Sequence, residues 1–397
     1  MSGKKKILFL FTDSFPFGYN ETYILSEQRV IHTNFEKIYY FPLNCNNEGD
    51  NRFDIPNAQI IDIHKKYTDK NVNVFSFLKI FLFEIFKTNN KSIYFSKKVL
   101  QILYNAIYYS NRIKQFIADE KLNEDDILFY SYWNYHWSLV LAVLKNSKPI
   151  IKVITRAHLH DLYDYLTFNF YANYKYKMLD NVYCISEHGR KYLENNYIKY
   201  SNKFKVAYLG TSNDFNLKQI SPTDNNTFTI VSCSAVRKEK RVDKIIDILK
   251  QVKYPVNWYH FGGGVLFESL KEKSKTLPAN INCHLSGNIK NFRILDFYSK
   301  NDIDLFVNVS SEEGIPFSLM EVISYGVPIM ACDVFGNKEI CTSKTGILIE
   351  KDFDPKVVAN NIETFLTEKN IKKEEVQNFW KENFNAEKNF TAFVNQL

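Results

Sequence analysis

Residues 303–331, IDLFVNVSSEEGIPFSLMEVISYGVPIMA, contain the pattern that decides the fold. An apolar run of strand composition leads into a loop with Gly and Pro, and a helix is predicted from about Ser318 before a second apolar run begins at Val327. This order is the repeating unit of a parallel sheet. It places the loop at the carboxyl end of a strand, where open α/β sheets bind ligands.

Two carboxylates, Glu313 and Glu321, stand eight positions apart in this stretch, and Glu312 is interpreted as solvated surface. Two interpretations of Glu321 are open: it faces a ligand, or it forms a capping box with Ser318 in which each side chain satisfies the other's backbone donor. Glu313 lies in the turn, where no structural role accounts for it. The start of the helix is predicted to offer free N–H groups to an anion. The residues concerned are Gly314, Ile315, Phe317, Ser318 and Leu319, while Pro316 has no N–H and gives up one that helix geometry leaves free.

Length and composition predict two globular domains. The chain has 397 residues, 45% of them hydrophobic and 24% charged, which is too long for one ordinary domain. Strand-like and helix-like segments alternate throughout, except in the polar stretch NDFNLKQISPTDNNT. We therefore predict two doubly wound, Rossmann-like α/β domains facing each other across a cleft. The boundaries are residues 1–212, a linker at 213–227, a second domain at 228–373, and a helical tail at 374–397 that packs back on the N-terminal domain.

The strands of both domains are predicted from short β-branched or aromatic runs. In the first domain these runs are residues 6–11, 37–41, 58–63, 127–130, 149–154, 182–185 and 204–209. In the second domain they are residues 227–233, 256–261, 281–285, 303–309, 327–331 and 346–350. One amphipathic helix of the second domain is predicted to bury the face formed by Val242, Ile245, Ile246, Leu249 and Val252.

Charge and cysteine usage limit the partners and the compartment. The net charge is +7, and the excess of basic residues lies in the N-terminal half, which favours an anionic partner such as a membrane surface or a phosphorylated acceptor. No helix is continuously basic, so nucleic acid is not expected. The six cysteines never reach C-x-x-C spacing, which predicts reduced, buried thiols in a cytosolic protein.

No signal peptide or membrane span is expected. The apolar run after Lys4–Lys6, Ile7 to Phe11, is shorter than the ~7–15 residues of a signal sequence and is interpreted as a core strand. The most apolar window, Val74 to Phe86, is interrupted by Lys79 and Glu84. It is interpreted either as a core helix or as an interfacial contact on the inner face of the plasma membrane.

A second candidate site is SCSAVRKEKRVDKIIDIL, residues 232–249, where a predicted strand ends in a basic turn before a helix. Arg237, Lys238, Lys240 and Arg241 oppose the dipole of that helix, so a bound anion such as a diphosphate is one explanation. A solvated basic turn with acidic neighbours is the alternative.

Other loops carry weaker signals. HFGGGVLFESL, residues 260–270, lacks the spacing of a dinucleotide or P-loop motif. In FPFGYNET, Gly18 permits close approach of a ligand, whereas Glu21 is explained equally by ordinary dipole stabilisation. The spacing of His158 and Asp161 in TRAHLHDLYDY matches no zinc pattern, so they are interpreted as polar groups lining the cleft. Asp302-x-Asp304 has no third ligand, and no metal site is predicted.

Taken together, these motifs resemble family 4 retaining glycosyltransferases of the GT-B fold. SEEGIPFSLMEVISYGVPIMACDVFGNKEI resembles their C-terminal signature, with Glu313 and Glu321 as the acids of the E-x7-E motif. FPFGYNETYILSEQ, TRAHLHDLYDY and LDNVYCISEHGRKYL are similar to N-terminal segments of members that build capsules, exopolysaccharides or O-antigens. Lys240 matches the lysine that holds the donor diphosphate. Where many members carry an arginine shortly before this lysine, the chain has Ser234 or Ala235.

The resemblance implies transfer of a sugar from a nucleotide diphosphate sugar to a saccharide or lipid-linked acceptor, with retention and without a cofactor or metal. Glu321 is expected to bind the ribose, Glu313 the transferred sugar and Lys240 the diphosphate, while His158 orients the donor. Arg237 or Arg241 is expected to replace the missing arginine. Further implied donor contacts are Gly18, Gly263, Gly287 and residues 314–319, and implied acceptor-side residues are Glu21 and Asp161.

Two other functions fit the same two-domain pattern. A sugar-nucleotide epimerase would convert the nucleotide sugar without an acceptor, so that product analysis separates it from a transferase. A non-catalytic nucleotide-sugar-binding assembly partner would bind the donor without turnover.

Overall fold

The computed structural model describes residues 6–18, 21, 23–45, 55–66, 72–89, 91–164, 166, 168–213, 227–368 and 370–397. The chain forms two compact units. The first comprises Met1–Tyr208 and Phe390–Leu397, and the second comprises Leu209–Asn389. The predicted linker at 213–227 lies outside the described residues except for its two end positions.

The first unit is built on a parallel sheet. Its strand order is β3-β2-β1-β4-β5-β6-β7. The chain adds strands on one side of β1 up to β3 and then on the other side from β4, so the topological switch point lies between β1 and β4. The central strands are buried on both faces, as their continuous apolar sequences require. The strands are β1 (Ile7–Thr12), β2 (Lys37–Pro42), β3 (Ala58–Ile60), β4 (Ile127–Ser131), β5 (Lys152–Ala157), β6 (Asn181–Cys184) and β7 (Phe204–Val206).

Helices connect these strands. The α-helices of the first unit are α1 (Ile24–Ile31), α2 (Ile63–Lys66), α3 (Val74–Ile85), α4 (Lys97–Asp119), α5 (His136–Ser147), α6 (Ala172–Met178) and α7 (Glu187–Asn196). Short 3₁₀ turns lie at His32–Asn34, Ser92–Phe95, Glu124–Asp126 and Ile198–Lys203. Asn73 and Ser96 begin α3 and α4 by accepting hydrogen bonds from backbone N–H groups of the first turn, as N-cap residues do.

Much of the aromatic content of the chain is the core of this unit. The ring of Phe9 lies 5.0 Å from Phe41, 5.2 Å from Phe129 and 5.8 Å from Phe116, measured between centroids. Phe116 comes from α4, so these rings join the sheet to the helix layer. Most of the rings meet at steep angles, the arrangement that aromatic quadrupoles favour.

A fully buried ion pair lies in the first unit and was not expected from the sequence. Arg156 on β5 contacts Glu27 on α1 at 2.9 Å, with both side chains fully buried. The Tyr130 hydroxyl donates to Glu27 at 2.9 Å and accepts from Arg156 at 2.8 Å. Phe393, from the C-terminal segment, covers the Arg156 guanidinium at 4.4 Å and also packs on the ring of Tyr130. The last residues of the chain therefore complete this core.

The second unit repeats the same plan. Its strand order is β10-β9-β8-β11-β12-β13, again parallel, with the switch point between β8 and β11. The two doubly wound α/β sheets predicted from the sequence are thus confirmed. The strands are β8 (Phe228–Cys233), β9 (Val256–Phe261), β10 (Ile281–Leu285), β11 (Leu305–Asn308), β12 (Ile329–Cys332) and β13 (Gly346–Ile349).

The helices of the second unit fall into two packed groups. Helix α8 packs against α9 and α13, and α11 packs against α10 and α14. The predicted apolar face is confirmed: its four residues on α8 are buried, and so is the fifth, Val252, which lies just beyond the end of the helix. The helices are α8 (Val242–Leu249), α9 (Phe267–Ser274), α10 (Asn291–Lys300), α11 (Phe317–Ile323), α12 (Asn337–Ile340), α13 (Pro355–Glu368), α14 (Lys373–Asn383) and α15 (Ala386–Val394), with a 3₁₀ turn at Lys238–Lys240.

The predicted strands differ from the structure mainly at their ends. The strand predicted to continue to Ile63 ends at Ile60, because α2 begins at Ile63. The strand predicted from Pro149 begins at Lys152, because Ile151 donates a turn hydrogen bond to Lys148. The predicted helical tail is divided: residues 374–389 belong to the second unit and residues 390–397 to the first.

Two further observations concern chemistry and membranes. All six cysteines are free thiols in the structure, and three of them are buried. Among the described residues, the structure contains no helix with both the length and the apolar character needed to cross a bilayer.

Candidate functional site

The candidate site of the second unit lies at the carboxyl edge of its sheet, at the switch point. Strands β8 and β11 are neighbours there, and the loops that follow them carry Lys240 and Glu313 respectively. Because the carboxyl ends of parallel strands meet at one edge, residues more than 70 positions apart in sequence come together. The sequence pattern predicted both loops to bind the same ligand, and the structure brings their key side chains into contact.

Lys240 and Glu313 form the centre of this site. The Lys240 ammonium donates to Glu313 Oε1 at 2.6 Å. Asn308, at the end of β11, approaches the same oxygen with its amide nitrogen at 3.4 Å. Glu313 is only 7% exposed, and a carboxylate removed from water needs such a partner. The lysine side chain keeps a path to solvent, with 23% of its surface exposed.

The loop of Lys240 is fixed to the loop of Glu313 by a serine. Ser311 donates its backbone N–H to the Glu239 carbonyl at 2.8 Å and its hydroxyl to the same oxygen at 3.1 Å. Residues 238–240 form a 3₁₀ turn, which ends in Arg241 with a left-handed φ of 49°. The ion pair is therefore held by backbone geometry on both sides. No sequence signal identified Ser311 or Asn308 beyond their proximity to the motif.

Glu321 lies one helix further along the chain. It is half-buried on α11 and accepts a hydrogen bond from the Asn291 amide at 2.9 Å. Desolvation raises the pKa of the Glu321 carboxyl to about 7, and the bond from Asn291 opposes this shift. A carboxyl with this pKa exchanges its proton near neutral pH.

The capping-box interpretation of Glu321 is wrong. Helix α11 begins at Phe317 rather than at Ser318, its N-cap is Pro316, and no side chain caps it. Proline has no hydroxyl or amide to offer the first turn, so the box cannot form. The Glu321 carboxylate accepts its hydrogen bond from the side chain of Asn291, on α10, and not from the backbone of its own helix.

The predicted row of free N–H groups is shorter than expected. Leu319 donates its N–H to the Pro316 carbonyl at 3.1 Å, so Leu319 does not offer a free donor to a ligand. The loop itself is held by close packing: a Cβ on Gly336 would collide with the Gly314 carbonyl. Ile315 is buried, whereas Phe317 and Ser318 are half-buried at the start of the helix.

The two arginines of the basic turn have different surroundings. The guanidinium of Arg241 donates to the Val309 carbonyl at 2.7 Å, to the Lys351 carbonyl at 2.8 Å and to Cys332 Sγ at 3.3 Å. These contacts join the ends of β11, β12 and β13 and favour a structural role. Arg237 is exposed in the same turn, so it is the better placed of the two to meet a ligand.

The glycines after β9 permit close packing of backbone, and Gly287 after β10 has a left-handed conformation. Gly262 has a φ of 133°, and a Cβ there would collide with the Ser234 carbonyl. Gly263 accepts from the Val236 N–H at 2.8 Å and donates to Asn288 Oδ1 at 2.8 Å. Gly287 has a φ of 63°. The triple glycine thus permits three loops to approach one another at the same sheet edge as Lys240.

In the first unit, the Glu21 carboxylate holds its own loop together and is not exposed to solvent. Its carboxylate is almost fully buried and accepts backbone N–H groups from Ser14 at 2.5 Å and from Phe15 at 2.6 Å. It also accepts a short hydrogen bond from the Trp133 indole, at the end of β4. Gly18 in the same loop has a φ of 68°, the conformation that glycine adopts without strain.

Asp161 has a similar structural role after β5. Its two oxygens accept the His158 N–H at 2.5 Å and the Asn134 N–H at 2.7 Å, and it is buried. Together with Asn134, it fixes the loop that carries His158. The carboxylate is therefore engaged within the protein.

The imidazole of His158, in that loop, has no hydrogen-bond partner within the protein. Its ring packs 5.0 Å from Tyr132 and 4.4 Å from Trp133, and the residue is 8% exposed. Both ring nitrogens are buried without a hydrogen-bond partner, although the Asp161 carboxylate lies 3.6 Å from Nδ1. A buried imidazole that lacks such partners is a candidate to bind a polar ligand.

No cluster of acids, histidines or cysteines suited to a metal ion occurs among the described residues. Asp302 and Asp304, for which the sequence predicted no metal role, interact with other residues of the protein. Asp304 accepts a hydrogen bond from the Thr229 N–H at 2.8 Å, and Asp302 forms an ion pair with Lys373.

The fold defines a class of protein, the GT-B proteins. The lipopolysaccharide outer core galactosyltransferase WaaB superposes with a TM-score of 0.71 at 15% identity over 99% of this chain and 100% of that chain. HepE from Anabaena in complex with UDP gives a TM-score of 0.66 at 15% identity over 99% and 100%. At such identities the similarity shows the fold alone, and it confirms the predicted GT-B class.

The family follows from the sequence of the C-terminal half. The model of the family described as "Glycosyl transferases group 1" matches residues 187–397, just over half of the chain, and the chain therefore belongs to this family. The O-antigen biosynthesis glycosyltransferase WbnH of Escherichia coli is 26% identical over 180 residues, 45% of this chain and 48% of that protein. The chain thus spans about half the length of this relative. The resemblance read from the sequence is confirmed at the level of GT-B glycosyltransferases, and the narrower assignment to family 4 stays a prediction.

Proposed function

We propose that the protein is a retaining, family 4 type glycosyltransferase that uses a nucleotide diphosphate sugar as donor. The observation that carries this proposal is the 2.6 Å contact between Lys240 and the nearly buried Glu313 at the switch point of the second unit. A lysine with a path to solvent supplies a positive charge for a diphosphate. A buried acid beside it supplies an acceptor for sugar hydroxyls.

The donor is assigned to the second unit. We assign the diphosphate to Lys240, with Arg237 as the auxiliary cation, because charge-assisted hydrogen bonds to an ion are worth ~1.5–3 kcal/mol each. Glu313 is assigned to the transferred sugar and Glu321 to the ribose hydroxyls. When Lys240 binds the diphosphate, its hydrogen bond to Glu313 weakens. Hydroxyl groups of the sugar then donate hydrogen bonds to Glu313.

His158 of the first unit is assigned to a substrate sugar. Both of its ring nitrogens are buried without hydrogen-bond partners, and its ring is held in place by Tyr132 and Trp133. A hydroxyl group of a sugar would satisfy a ring nitrogen and offset the cost of leaving it unpaired, which is about 1–3 kcal/mol.

In the proposed reaction, the acceptor hydroxyl oxygen bonds to the anomeric carbon of the donor as the bond from that carbon to the diphosphate oxygen breaks. The leaving diphosphate accepts the hydroxyl proton on the same face, so that the configuration is retained. Lys240 stabilises the charge that develops on the leaving group, the electrostatic term that is usually the largest in catalysis. We propose no requirement for a metal ion or cofactor, and activity in excess EDTA tests this point.

The acceptor that we propose is a saccharide or lipid-linked saccharide of cell-surface polysaccharide synthesis, of the capsule, exopolysaccharide or O-antigen kind. Support comes from the names of the similar proteins, which concern O-antigen biosynthesis and the lipopolysaccharide outer core. A lipid-linked acceptor would bring the protein to the inner face of the plasma membrane, and peripheral association there is part of the proposal.

A thermal-shift screen of the common nucleotide sugars, followed by a transfer assay with the hit, tests this function. Lys240→Ala and Glu313→Ala are expected to lose at least about tenfold in transfer, because each removes a charge-assisted contact. Two neighbours provide matched controls, Lys238→Ala in the same turn and Glu312→Ala in the same loop. Both are expected to keep full activity.

The outcomes separate the competing functions. Full activity of both site variants would refute the site assignment. An epimerised nucleotide sugar formed without any acceptor would identify an epimerase. Donor binding without turnover on any acceptor extract would identify a binding partner.

A further inference from the structure

The first unit carries an apolar surface on α3, the α3 surface, that faces solvent. Phe75 is 81% exposed and Phe86 at the end of the helix is 76% exposed. Large exposed apolar side chains that lie together mark a site of interaction in a folded protein. The α3 surface consists of Val74, Phe75, Leu78, Leu82, Phe86 and Phe95, the last from the following 3₁₀ turn.

The rest of the structure holds α3 in this orientation. Its inward side buries Ile80 and Glu84, each about 1% exposed. The Glu84 carboxylate accepts the Tyr174 N–H at 2.9 Å and the Asn173 amide at 3.1 Å, at the start of α6. A carboxylate is favourable at a helix N-terminus. The acid of the helix is therefore fixed inside, and the apolar stripe is fixed outside.

The exposed charges of the segment that carries the α3 surface, residues 72–104, are of one sign. Glu84 is the sole acidic residue in the sequence from 72 to 104, and it is buried. The lysines of this segment are all exposed: Lys79, Lys87, Lys91, Lys97 and Lys98. An anionic surface is the partner that matches this pattern.

We propose that the α3 surface docks onto an anionic lipid bilayer, with Phe75 and Phe86 inserted among the lipids and the lysines at the headgroups. Helix α3 is too short to span a bilayer but has the apolar face and cationic border of a helix that lies in the interface. A symmetric second copy is disfavoured, because it would bring these lysines against one another. The biological role of this docking rests on the proposed function. Its test does not, because vesicle binding is measured without a nucleotide sugar.

Flotation of the full chain with vesicles tests the proposal. We expect binding to vesicles of phosphatidylcholine with phosphatidylglycerol, and much weaker binding to phosphatidylcholine alone. Phe75→Ser with Phe86→Ser should lower the partition coefficient at least about tenfold, since each ring loses apolar burial. The control is Ile198→Ser, which removes another exposed apolar residue of the first unit, 74% exposed, outside the α3 surface.

A charge variant tests the other half of the proposal. Lys87→Gln with Lys91→Gln should weaken binding to anionic vesicles about tenfold or more, because each lysine near an anionic surface contributes ~1 kcal/mol, and should leave binding to neutral vesicles unchanged. The proposal is overturned if the wild-type chain does not float, or if the double Phe variant floats as well as the Ile198 control. Self-association that the double Phe variant abolishes, without any vesicle binding, would assign the surface to a second copy instead.

Discussion

At the scale of single residues, the site depends on one acid that cannot be solvated. Glu313 is nearly buried, and Lys240 is the cation that contacts it. Removing one member of a buried pair leaves the other charge uncompensated, which costs more than the pair itself contributes. This asymmetry makes the pair visible in stability measurements without any substrate.

We expect Lys240→Met to lower the free energy of unfolding by about 1–3 kcal/mol, because Glu313 then lacks its cation. Glu313→Gln in the same background should recover part of that loss, since a neutral amide costs less to bury. A urea titration of the single and double variants measures this coupling. The exposed Lys238→Met is the matched control and should change the value by less than ~0.5 kcal/mol. Additive effects of the two changes would contradict the direct interaction.

Glu321 should make stability depend on pH near neutrality. Its pKa is raised from 4.5 to about 7, so the folded chain binds more protons than the unfolded chain between these values. Stability from this group therefore falls as pH rises from 4.5 to 7 and stays low above that range. Glu321→Gln should remove this decline, on the order of 1–2 kcal/mol, in urea titrations at pH 5, 6, 7 and 8. An unchanged pH profile in the variant would show that Glu321 titrates normally.

The same carboxyl should couple nucleotide binding to protons. If the ionised form accepts the ribose hydroxyls, the dissociation constant of the nucleoside diphosphate whose sugar the thermal-shift screen identifies should fall about tenfold between pH 6 and pH 8, as expected for a group of pKa about 7. Phosphate ionisation contributes to the same profile, so Glu321→Gln is the reference that isolates the carboxyl. Calorimetry in two buffers of different ionisation enthalpy should show proton release in the wild type and less in the variant.

At the scale of elements, the two arginines of the basic turn show what sequence spacing cannot decide. Arg237 and Arg241 are four positions apart and are both suitable cations for a diphosphate by type. The structure binds Arg241 to carbonyls of two loops and leaves Arg237 exposed. The difference arises from a left-handed turn at Arg241, which no propensity predicts for an arginine.

We expect Arg241→Met to lower the free energy of unfolding by about 2–4 kcal/mol, because three hydrogen bonds at strand ends are lost. Arg237→Met should leave stability within ~0.5 kcal/mol and weaken binding of the same nucleoside diphosphate by about three- to tenfold. Urea titration and calorimetry on both variants separate the two roles. The reverse pattern would make Arg241 the phosphate ligand.

The elements predicted from the sequence agree with the structure where burial alone determines them. Strands β9 and β10 have the predicted bounds, and the buried face of α8 is the predicted one. Errors lie at the ends of elements, where one hydrogen bond decides. Pro316 rather than Ser318 is the N-cap of α11, which excludes the capping-box alternative for Glu321, and the Glu321 carboxylate accepts a hydrogen bond from Asn291.

The candidate site was predictable only in part. The two acids were found because a charge in an apolar setting is conspicuous in a sequence, and Lys240 was found because its basic turn opposes the dipole of the next helix and matches a family motif. Ser311, Asn308 and Asn291 were missed, because polar residues of this kind are common in loops and their contacts depend on tertiary structure. The buried pair of Arg156 and Glu27 was missed for the same reason, since it joins a strand to a distant helix.

At the scale of the whole molecule, the two units share one plan of strand order but differ in how their cores close. The second unit is formed by a continuous stretch of chain, whereas the first unit takes residues 390–397 from the far end of the sequence. Within that segment Phe390 and Phe393 are buried. Phe393 packs 4.9 Å from the ring of Tyr183 on β6 and lies over the buried arginine.

We expect Phe393→Ala to destabilise the first unit by about 3–5 kcal/mol, because it leaves a cavity over a buried ion pair. A fragment of residues 1–208 should accordingly unfold at lower urea concentration than the same fragment with a synthetic peptide of residues 390–397 added. For the Phe393→Ala substitution in the full chain, the control is Lys388→Ala, at an exposed position of the same helix. Equal stability of the fragment with and without the peptide would contradict this role.

Because the final segment belongs to the first unit, the order of synthesis and the order of folding cannot coincide. The ribosome delivers the strands of the first sheet early, but the ring that covers Arg156 arrives only after the whole second unit has been made. The nascent first unit must therefore wait with an unfinished core, exposed to chaperones and proteases, while nearly two hundred further residues emerge.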